Sequence, residues 1–248
     1  IEAGELRSPA DLEALLSLCR GHGRSLGFHS PLYRGGSKYD LISAVEQSPE
    51  VAWQQLEDEL RIAQDNDVEY VLVHFPYFQT ASVPNPVSQI EAGLERISLL
   101  QDRYATKVLC EPKLGDNRDP GSIAILSGYS PARWREFGVS MCWDMGDNLL
   151  AATSTRACVE QLHRWRTEID IIHVHNVKVT DEKYYWIPIH PSFEEQTEHF
   201  TLEPLLVAAR DMDATLVWEH TPHFEDSREF VMAGVEWARG ILGQGEAA

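Results

Sequence analysis

The chain has 248 residues and carries 21 Lys and Arg against 39 Asp and Glu, a formal net charge of −18 at pH 7. Nucleic-acid-binding proteins draw much of their affinity from Lys and Arg placed against phosphates, so this acid surplus without a basic run argues against such a partner. Hydrophobic residues make up 43% of the chain, enough for a large buried core. No apolar stretch approaches the roughly 20 residues of a membrane span, so we predict a soluble protein without a membrane partner.

Short apolar runs alternate with longer amphipathic segments from end to end. The predicted strands are residues 24–29, 69–75, 106–111, 138–144, 169–177 and 214–219. The predicted helices are residues 9–21, 50–66, 87–104, 155–167, 202–211 and 227–242. This alternation indicates an α/β fold of repeated strand–helix units around a parallel sheet. No linker rich in Gly, Ser or Pro divides the chain, so we expect a single domain over residues 1–248.

Each predicted strand contains or ends on an ionisable side chain near its C-terminal end. These residues are His29, His74, Glu111, Asp144, His175 with His173 before it, and Glu219. Because parallel strands all end on one side of a sheet, the side chains are expected to converge. Buried acids at a common centre repel one another unless a cation lies between them. The sequence therefore predicts a divalent metal site.

The residue types also indicate which metal fits. Carboxylates with one imidazole and no thiolate suit Mn²⁺, Mg²⁺ or Co²⁺, and Zn²⁺ also fits. Cys110 adjoins Glu111 and therefore points to the opposite face of its strand, and Cys142 lies one layer below Asp144. The four cysteines show no paired spacing, which is typical of reduced thiols in a cytoplasmic protein.

Several short segments around these residues carry a family resemblance. They are Gly27-Phe28-His29-Ser30-Pro31-Leu32, Val73-His74-Phe75-Pro76, Glu111, Asp144-Met145-Gly146-Asp147, His175 and Trp218-Glu219-His220-Thr221-Pro222. In this order they resemble the strand ends of the xylose isomerase-like TIM barrels. That superfamily also holds endonuclease IV, the ketose 3-epimerases, hydroxypyruvate isomerase and inosose dehydratase.

The resemblance implies a TIM (β/α)8 barrel enzyme with a divalent metal. The implied metal ligands are Glu111, Asp144, His175 and Glu219. It further implies a sugar, polyol or related hydroxy-carbonyl substrate, which is isomerised or epimerised by proton transfer through Glu111 and Glu219. His173 and His175 both face inward, so the sequence leaves open which of them is the ligand.

Further residues are expected around the substrate. Lys113 lies in Glu111-Pro112-Lys113, a segment similar to one in xylose isomerase, which implies a catalytic role at the reacting oxygens. The expected substrate-binding residues are His29, His74, Asp147, His173, Trp186 and His190. The aromatic loop of residues 180–190 suggests a lid over the substrate, with contact between subunits of a homo-oligomer as the alternative.

Two departures argue against endonuclease IV activity. Asp147 stands where that enzyme has a His, and Ile189-His190-Pro191 replaces its Asp-x-His segment. A metal-dependent dehydratase or lyase stays open as the alternative, because it would use the same site. The resemblance also implies that residues 1–2 form the tail of the second barrel strand, so that the first strand–helix unit is absent from the given chain.

Overall fold

A computed structural model describes residues 1–152, 154–180, 183–194, 196, 199–219 and 227–243. By its internal contacts the chain forms two compact units, Ile1–Cys142 and Trp143–Ala248, called unit 1 and unit 2 below. The single domain over residues 1–248 stays a prediction. Among the described helices, none has both the length and the apolar character needed to span a bilayer.

Unit 1 is built on parallel strands in the order in which they occur in the chain. The strands are β1 (Glu2–Ala3), β2 (Gly27–His29), β3 (Tyr70–His74), β4 (Lys107–Glu111) and β5 (Ser140–Asp144), which begins in this unit. The helices are α1 (Pro9–Gly21), α2 (Pro49–Asp65), α3 (Pro86–Tyr104), α4 (Gly121–Gly128) and α5 (Pro131–Arg135), with a 3-10 turn at Asp116–Arg118. Proline is the first residue of α1, α2, α3 and α5. Its lack of an N–H costs nothing there, because the first N–H groups of a helix have no partner within the helix.

Within its described residues, unit 2 combines a parallel strand pair, a hairpin and four helices. The helices are α6 (Met145–Ala151), α7 (Thr155–Trp165), α8 (Glu203–Arg210) and α9 (Arg228–Ile241), with a 3-10 turn at Pro191–Phe193. The strands are β6 (Ile169–Val174), β7 (Asn176–Val179), β8 (Tyr184–Ile187) and β9 (Thr215–Trp218). β6 pairs with β9 in parallel, whereas β7 and β8 form an antiparallel hairpin.

The predicted α/β class is confirmed. The strands β1 to β6 and β9 are each parallel to a neighbour and alternate with helices, which is the arrangement of a TIM-type barrel. All six predicted helices form, and each begins and ends within about two residues of its predicted bounds. The long connection between β4 and β5 contains two further helices, α4 and α5.

The predicted strand over residues 169–177 is wrong in extent. β6 ends at Val174, and β7 begins at Asn176 in a different sheet. The side chain of Asn176 holds the chain at this break, because its buried amide donates to the distant Phe200 carbonyl and its oxygen accepts from the Val177 N–H. His175 therefore lies at the junction between a barrel strand and the hairpin.

The predicted loop over residues 180–190 is also corrected in part. Tyr184–Ile187 is the strand β8, paired with β7 from Asn176↔Ile187 to Val179↔Tyr184. Asp181 and Glu182, between β7 and β8, lie outside the described residues.

Candidate functional site

The buried Glu111 carboxylate is the centre of a polar group in unit 1. Lys113 Nζ lies 3.1 Å from its Oε1, and His74 Nε2 lies 3.2 Å from its Oε2. His29 Nε2 lies 3.5 Å from the same Oε2. His74 and Glu111 face each other in the register of β3 and β4, so the strand pairing itself brings them together. Three nitrogen groups thus surround one carboxylate.

The His74 ring is held by aromatic neighbours. It stacks on Tyr39 at 5.0 Å between centroids and meets the His29 ring edge-on at 4.9 Å. Tyr39 in turn packs against Tyr77. Burial lowers the pKa of His74 to about 4, although Glu111 opposes this shift. The ring is therefore neutral at pH 7 and acts through hydrogen bonds rather than charge.

Tyr39 and Tyr77 were not among the predicted site residues. Both lie on loops that follow a strand end, after His29 and His74 respectively. Loops at the carboxyl ends of barrel strands are where binding residues concentrate, and that position was the available signal. Phe75, the residue after His74, is instead core, because its ring lies against Gly93 of α3.

The Asp144 carboxylate in unit 2 has two roles. Its Oδ1 accepts the N–H of Asp147 at 2.7 Å and so caps the first turn of α6. Its Oδ2 lies 3.0 Å from His175 Nε2. The side-chain amide of Asn148 donates to the Asp144 carbonyl at 2.8 Å. The carboxylate is therefore fully buried and held in one orientation before any ligand arrives.

The environment of His175 could hold either a proton or a cation. Its Nδ1 lies 3.3 Å from the Asn176 carbonyl, and the tautomer that donates there presents the Nε2 lone pair to Asp144. Two electron-rich atoms 3.0 Å apart need a proton or a cation between them. Burial acts to lower the pKa of His175, but the Asp144 carboxylate outweighs it and the net pKa is raised.

Glu219 completes a group that can hold a metal within unit 2. One ligand atom from each of Asp144, His175 and Glu219 lies within 4.8 Å of the others. Glu219 Oε2 is also 2.9 Å from His173 Nδ1. The Glu219 side chain is 37% exposed, whereas those of Asp144 and His175 are fully buried. Two carboxylates and an imidazole that donates its other N–H to a carbonyl are a donor set that fits a divalent cation.

The hairpin contributes an aromatic contact to this group. The Trp186 ring lies 4.6 Å from the His175 ring, and Tyr184 packs on Trp186 at 4.9 Å. A Cβ at Gly146 would lie 2.3 Å from His175 Cε1 and 2.8 Å from Trp186 Cζ3. Only a glycine at this position of α6 leaves room for both rings as they stand.

The structure places the remaining predicted residues as follows. Asp147 is buried in the first turn of α6, where its N–H caps against Asp144. His190 stacks on Phe230 of α9 at 3.9 Å, and its Nδ1 lies 2.7 Å from Ser192 Oγ. These contacts anchor the loop before the second 3-10 turn. Residues 220–222 of the last motif lie outside the described residues.

The cysteines take no visible part in the site. All four are buried and free of disulfides. Burial raises the pKa of the Cys158 thiol to about 12 and that of Cys110 well above its usual value. Both thiols are therefore protonated at neutral pH, and a protonated thiol is a poor metal ligand.

Neither a family model nor a curated protein matches the chain. Solved structures do match it. A D-tagatose 3-epimerase-like protein is 16% identical, with 98% of this chain and 89% of that chain covered and a TM-score of 0.65. A 3-keto-D-glucoside 4-epimerase from E. coli is 13% identical, with 93% and 85% covered and a TM-score of 0.61.

A third solved structure is described by the name of the fold family. It is a xylose isomerase-like TIM barrel protein from Mycobacterium smegmatis in complex with magnesium, 14% identical, with 96% of this chain and 79% of that chain covered and a TM-score of 0.56. Identities this low support a conclusion about fold alone. The chain therefore has the xylose isomerase-like TIM-barrel fold that its strand-end motifs predict.

Proposed function

We propose that the protein is a divalent-metal-dependent isomerase or epimerase of a sugar, polyol or related hydroxy-carbonyl compound. The observation that carries the proposal is the grouping of Asp144, His175 and Glu219 in unit 2. The shared fold adds support, because solved structures with this fold include proteins described as sugar epimerases.

The proposed metal ligands are Glu111, Asp144, His175 and Glu219. Glu111 is included because it ends β4 as Asp144 ends β5, and because it is fully buried. The carboxylate-rich set favours Mn²⁺, Mg²⁺ or Co²⁺ over Zn²⁺. When bound, such an ion would polarise the substrate carbonyl and make the neighbouring C–H more acidic.

Glu219 is the first proposed proton carrier. Its carboxylate is the most exposed of the proposed ligands, and His173 Nδ1 lies 2.9 Å from it. Glu111 is the second carrier, and the Lys113 ammonium lies 3.1 Å from its Oε1. One carboxylate removes a proton from carbon and the other returns one, which suits epimerisation and aldose–ketose interconversion alike.

The remaining polar groups bind and orient the substrate. Lys113 would stabilise negative charge that develops on a substrate oxygen. His29 and His74 would exchange hydrogen bonds with hydroxyl groups, the latter as a neutral ring. Asp147, His173, Trp186 and His190 keep their proposed substrate-binding role, and the contacts of His190 with Phe230 and Ser192 would hold its ring in place.

Metal dependence is tested on the purified full chain. Elemental analysis should find a bound divalent ion, and the chelated protein should regain a higher Tm when Mn²⁺, Mg²⁺, Co²⁺ or Zn²⁺ is added singly. Binding at about 1,000 times Kd contributes about 4 kcal/mol of stability. Asp144→Asn and His175→Gln should lose the increase, whereas Asp213→Asn, on an exposed loop, should keep it. A wild-type protein without metal and without any Tm increase would contradict the proposal.

Activity is tested by screening sugars and inositols with the metal that gives the largest Tm increase. Glu219→Gln should abolish turnover with the fold intact, because an amide cannot carry the proton. Glu236→Gln, at an exposed position of α9, is the matched control and should keep full activity. NMR of the products distinguishes an isomer or epimer from a dehydrated compound. A dehydrated product would show that the protein is a lyase. Unchanged turnover in Glu219→Gln would exclude the assigned role.

A further inference from the structure

One buried carboxyl in unit 1 has no part in the proposed chemistry. Glu59 lies on α2, on the face that otherwise buries Ala52, Leu56 and Ala63. Only 7% of its surface is exposed. An acid in the apolar stripe of an amphipathic helix is costly unless it is hydrogen-bonded, so its contacts indicate its role.

Glu59 holds the segment that follows β2. Its Oε1 accepts the backbone N–H of Leu32 at 2.7 Å, and Leu32 is itself fully buried. The Ser30 side chain also faces the carboxylate. Further bonds fix the same segment, because Ser30 N–H donates to the Leu72 carbonyl and the Pro31 carbonyl accepts from Glu5 N–H. The short stretch between His29 and Leu32 is thereby held from α2 at Leu32, from β3 at Ser30 and from Glu5 at Pro31.

This stretch determines how the His29 ring is presented. His29 Nδ1 lies 3.0 Å from the carbonyl of Ser30, within the segment that Glu59 holds. A neutral ring that donates Nδ1–H to this carbonyl acts as a hydrogen-bond acceptor at Nε2. Nε2 is the atom that lies 3.5 Å from Glu111 Oε2. The contacts therefore run from Glu59 through the backbone of residues 30–32 to the working nitrogen of His29.

The position of Glu59 calls for a hydrogen-bond acceptor for Leu32 rather than for a charge. Burial raises the pKa of Glu59, although the Leu32 and Ser30 hydrogen bonds oppose this shift. A glutamine would offer the same acceptor to Leu32 without a buried charge, and a leucine would pack with the neighbouring apolar residues. The acceptor at this position is explained by its hydrogen bond to Leu32, which holds the segment that follows His29.

We propose that Glu59 is a positioning residue that fixes the tautomer and orientation of His29 by anchoring the backbone of residues 30–32. The inference rests on the proposed function only for its effect on turnover. Its direct consequence, the state of the His29 ring, exists whatever reaction the protein performs.

The ring state is measured by ¹⁵N–¹H correlation spectra of ¹⁵N-histidine-labelled full-length protein at pH 8, with His29→Gln assigning the signal. Wild type and Glu59→Gln should show His29 as the Nδ1–H tautomer. Glu59→Leu should shift the signal toward the Nε2–H form that free histidine favours. Leu56→Ala, one turn earlier on α2, destabilises the core and should leave the signal unchanged. An unchanged His29 signal in Glu59→Leu overturns the proposal, as does an equal change in Leu56→Ala.

Kinetics then test whether the positioning matters. With a substrate from the screen, Glu59→Leu should lower kcat/KM by about tenfold or more, the usual loss when a supporting hydrogen bond behind a site residue is removed. Glu59→Gln should recover most of that loss, and bound metal should be equal in all variants. A tautomer change without a kinetic loss would refute the link to turnover. Failure of every substrate with an intact tautomer effect would count against the proposed function alone.

Discussion

A glycine shapes the candidate metal group at the scale of single residues. Gly146 allows the His175 and Trp186 rings to lie against the first turn of α6, where a methyl group would overlap both. Alanine is the best helix former, so replacing Gly146 with alanine would favour the helix itself. Any loss of function would then come from the overlap with the two rings. The glycine also stands one residue from the Asp147 N–H that caps against Asp144.

We therefore predict that Gly146→Ala keeps the fold and weakens metal binding by about tenfold or more, because the His175 ring must move away from Asp144. Circular dichroism and metal titration of the chelated protein measure the two effects. Gly128→Ala at the end of α4, where an added Cβ would meet no other atom within 4 Å, is the control and should bind metal normally. Equal metal affinity in Gly146→Ala and wild type would contradict the packing argument.

Individual site residues differed in how predictable they were. Glu111 and Asp144 could be found because an acid that ends an apolar run is unusual in a buried strand. Glu59 gives a similar signal, because it is an acid within the apolar stripe of a helix. Tyr39 could not be placed in the same way, because its contact with His74 depends on the path of a long loop.

Asp40 organises the connection between β2 and α2 at the scale of elements. Its carboxylate accepts the N–H groups of Val45, Glu46 and Gln47 and the Ser37 hydroxyl. Burial alone would raise the pKa of Asp40, but these hydrogen bonds outweigh it and the net pKa is lowered. One side chain therefore holds the long loop that carries Tyr39.

The lowered pKa of Asp40 predicts a pH-dependent stability. The ionised form stabilises the fold above the unfolded pKa of about 3.9, and this contribution is lost as the pH falls through the lower folded pKa. Asp40→Asn should lower the unfolding free energy by about 1.5–3 kcal/mol at pH 7, with the difference from wild type shrinking toward pH 3. Urea unfolding at several pH values measures this. The exposed Asp213→Asn should show no such trend, and a difference independent of pH would refute the assignment.

The hairpin β7–β8 places the Trp186 ring against His175. Tyr184 and Trp186 share one face of β8, whereas Tyr185 points to the other. Trp186→Ala should lower kcat/KM by about tenfold, since it removes the ring that packs on His175. Trp186→Phe should lose less, and Tyr185→Ala, the matched control, should lose little. Equal losses in Trp186→Ala and Tyr185→Ala would indicate a general effect on the hairpin.

Helices and strands were predictable to different degrees for physical reasons. Helices of about three turns or more leave a clear periodic pattern, and their capping residues define the ends, as Ser8 and Pro9 do for α1. The break between β6 and β7 was not predicted, because Val174 and Val177 stand on either side of it and neither Gly nor Pro marks it in the sequence. The turn depends on the distant contact between Asn176 and Phe200.

The acid surplus acts at the scale of the whole molecule. Four of the six charged or imidazole strand ends now have a proposed ligand role, but most of the 39 acidic residues lie elsewhere. A net charge of −18 destabilises a compact state through self-repulsion, and salt screens that repulsion over a Debye length of about 10 Å at 0.1 M.

We predict that raising NaCl from about 0.02 M to 0.3 M increases the Tm of the chelated protein by a few degrees, because screening reduces the repulsion. Thermal unfolding followed by circular dichroism measures the change. Sorbitol, added at the osmolality of the higher salt concentration, controls for effects unrelated to charge. A Tm that stays constant or falls with salt would show that the surface carboxylates do not oppose folding.

His175 occupies the single residue between β6 and β7. A barrel strand ends on one side of it, and the hairpin that carries Trp186 begins on the other. A ligand that pulls on this imidazole would therefore also restrain the hairpin, and amide protons of β7 and β8 should exchange with solvent more slowly when the site is filled. Binding at a deeply buried atom would in this way be reported by the dynamics of the adjoining hairpin.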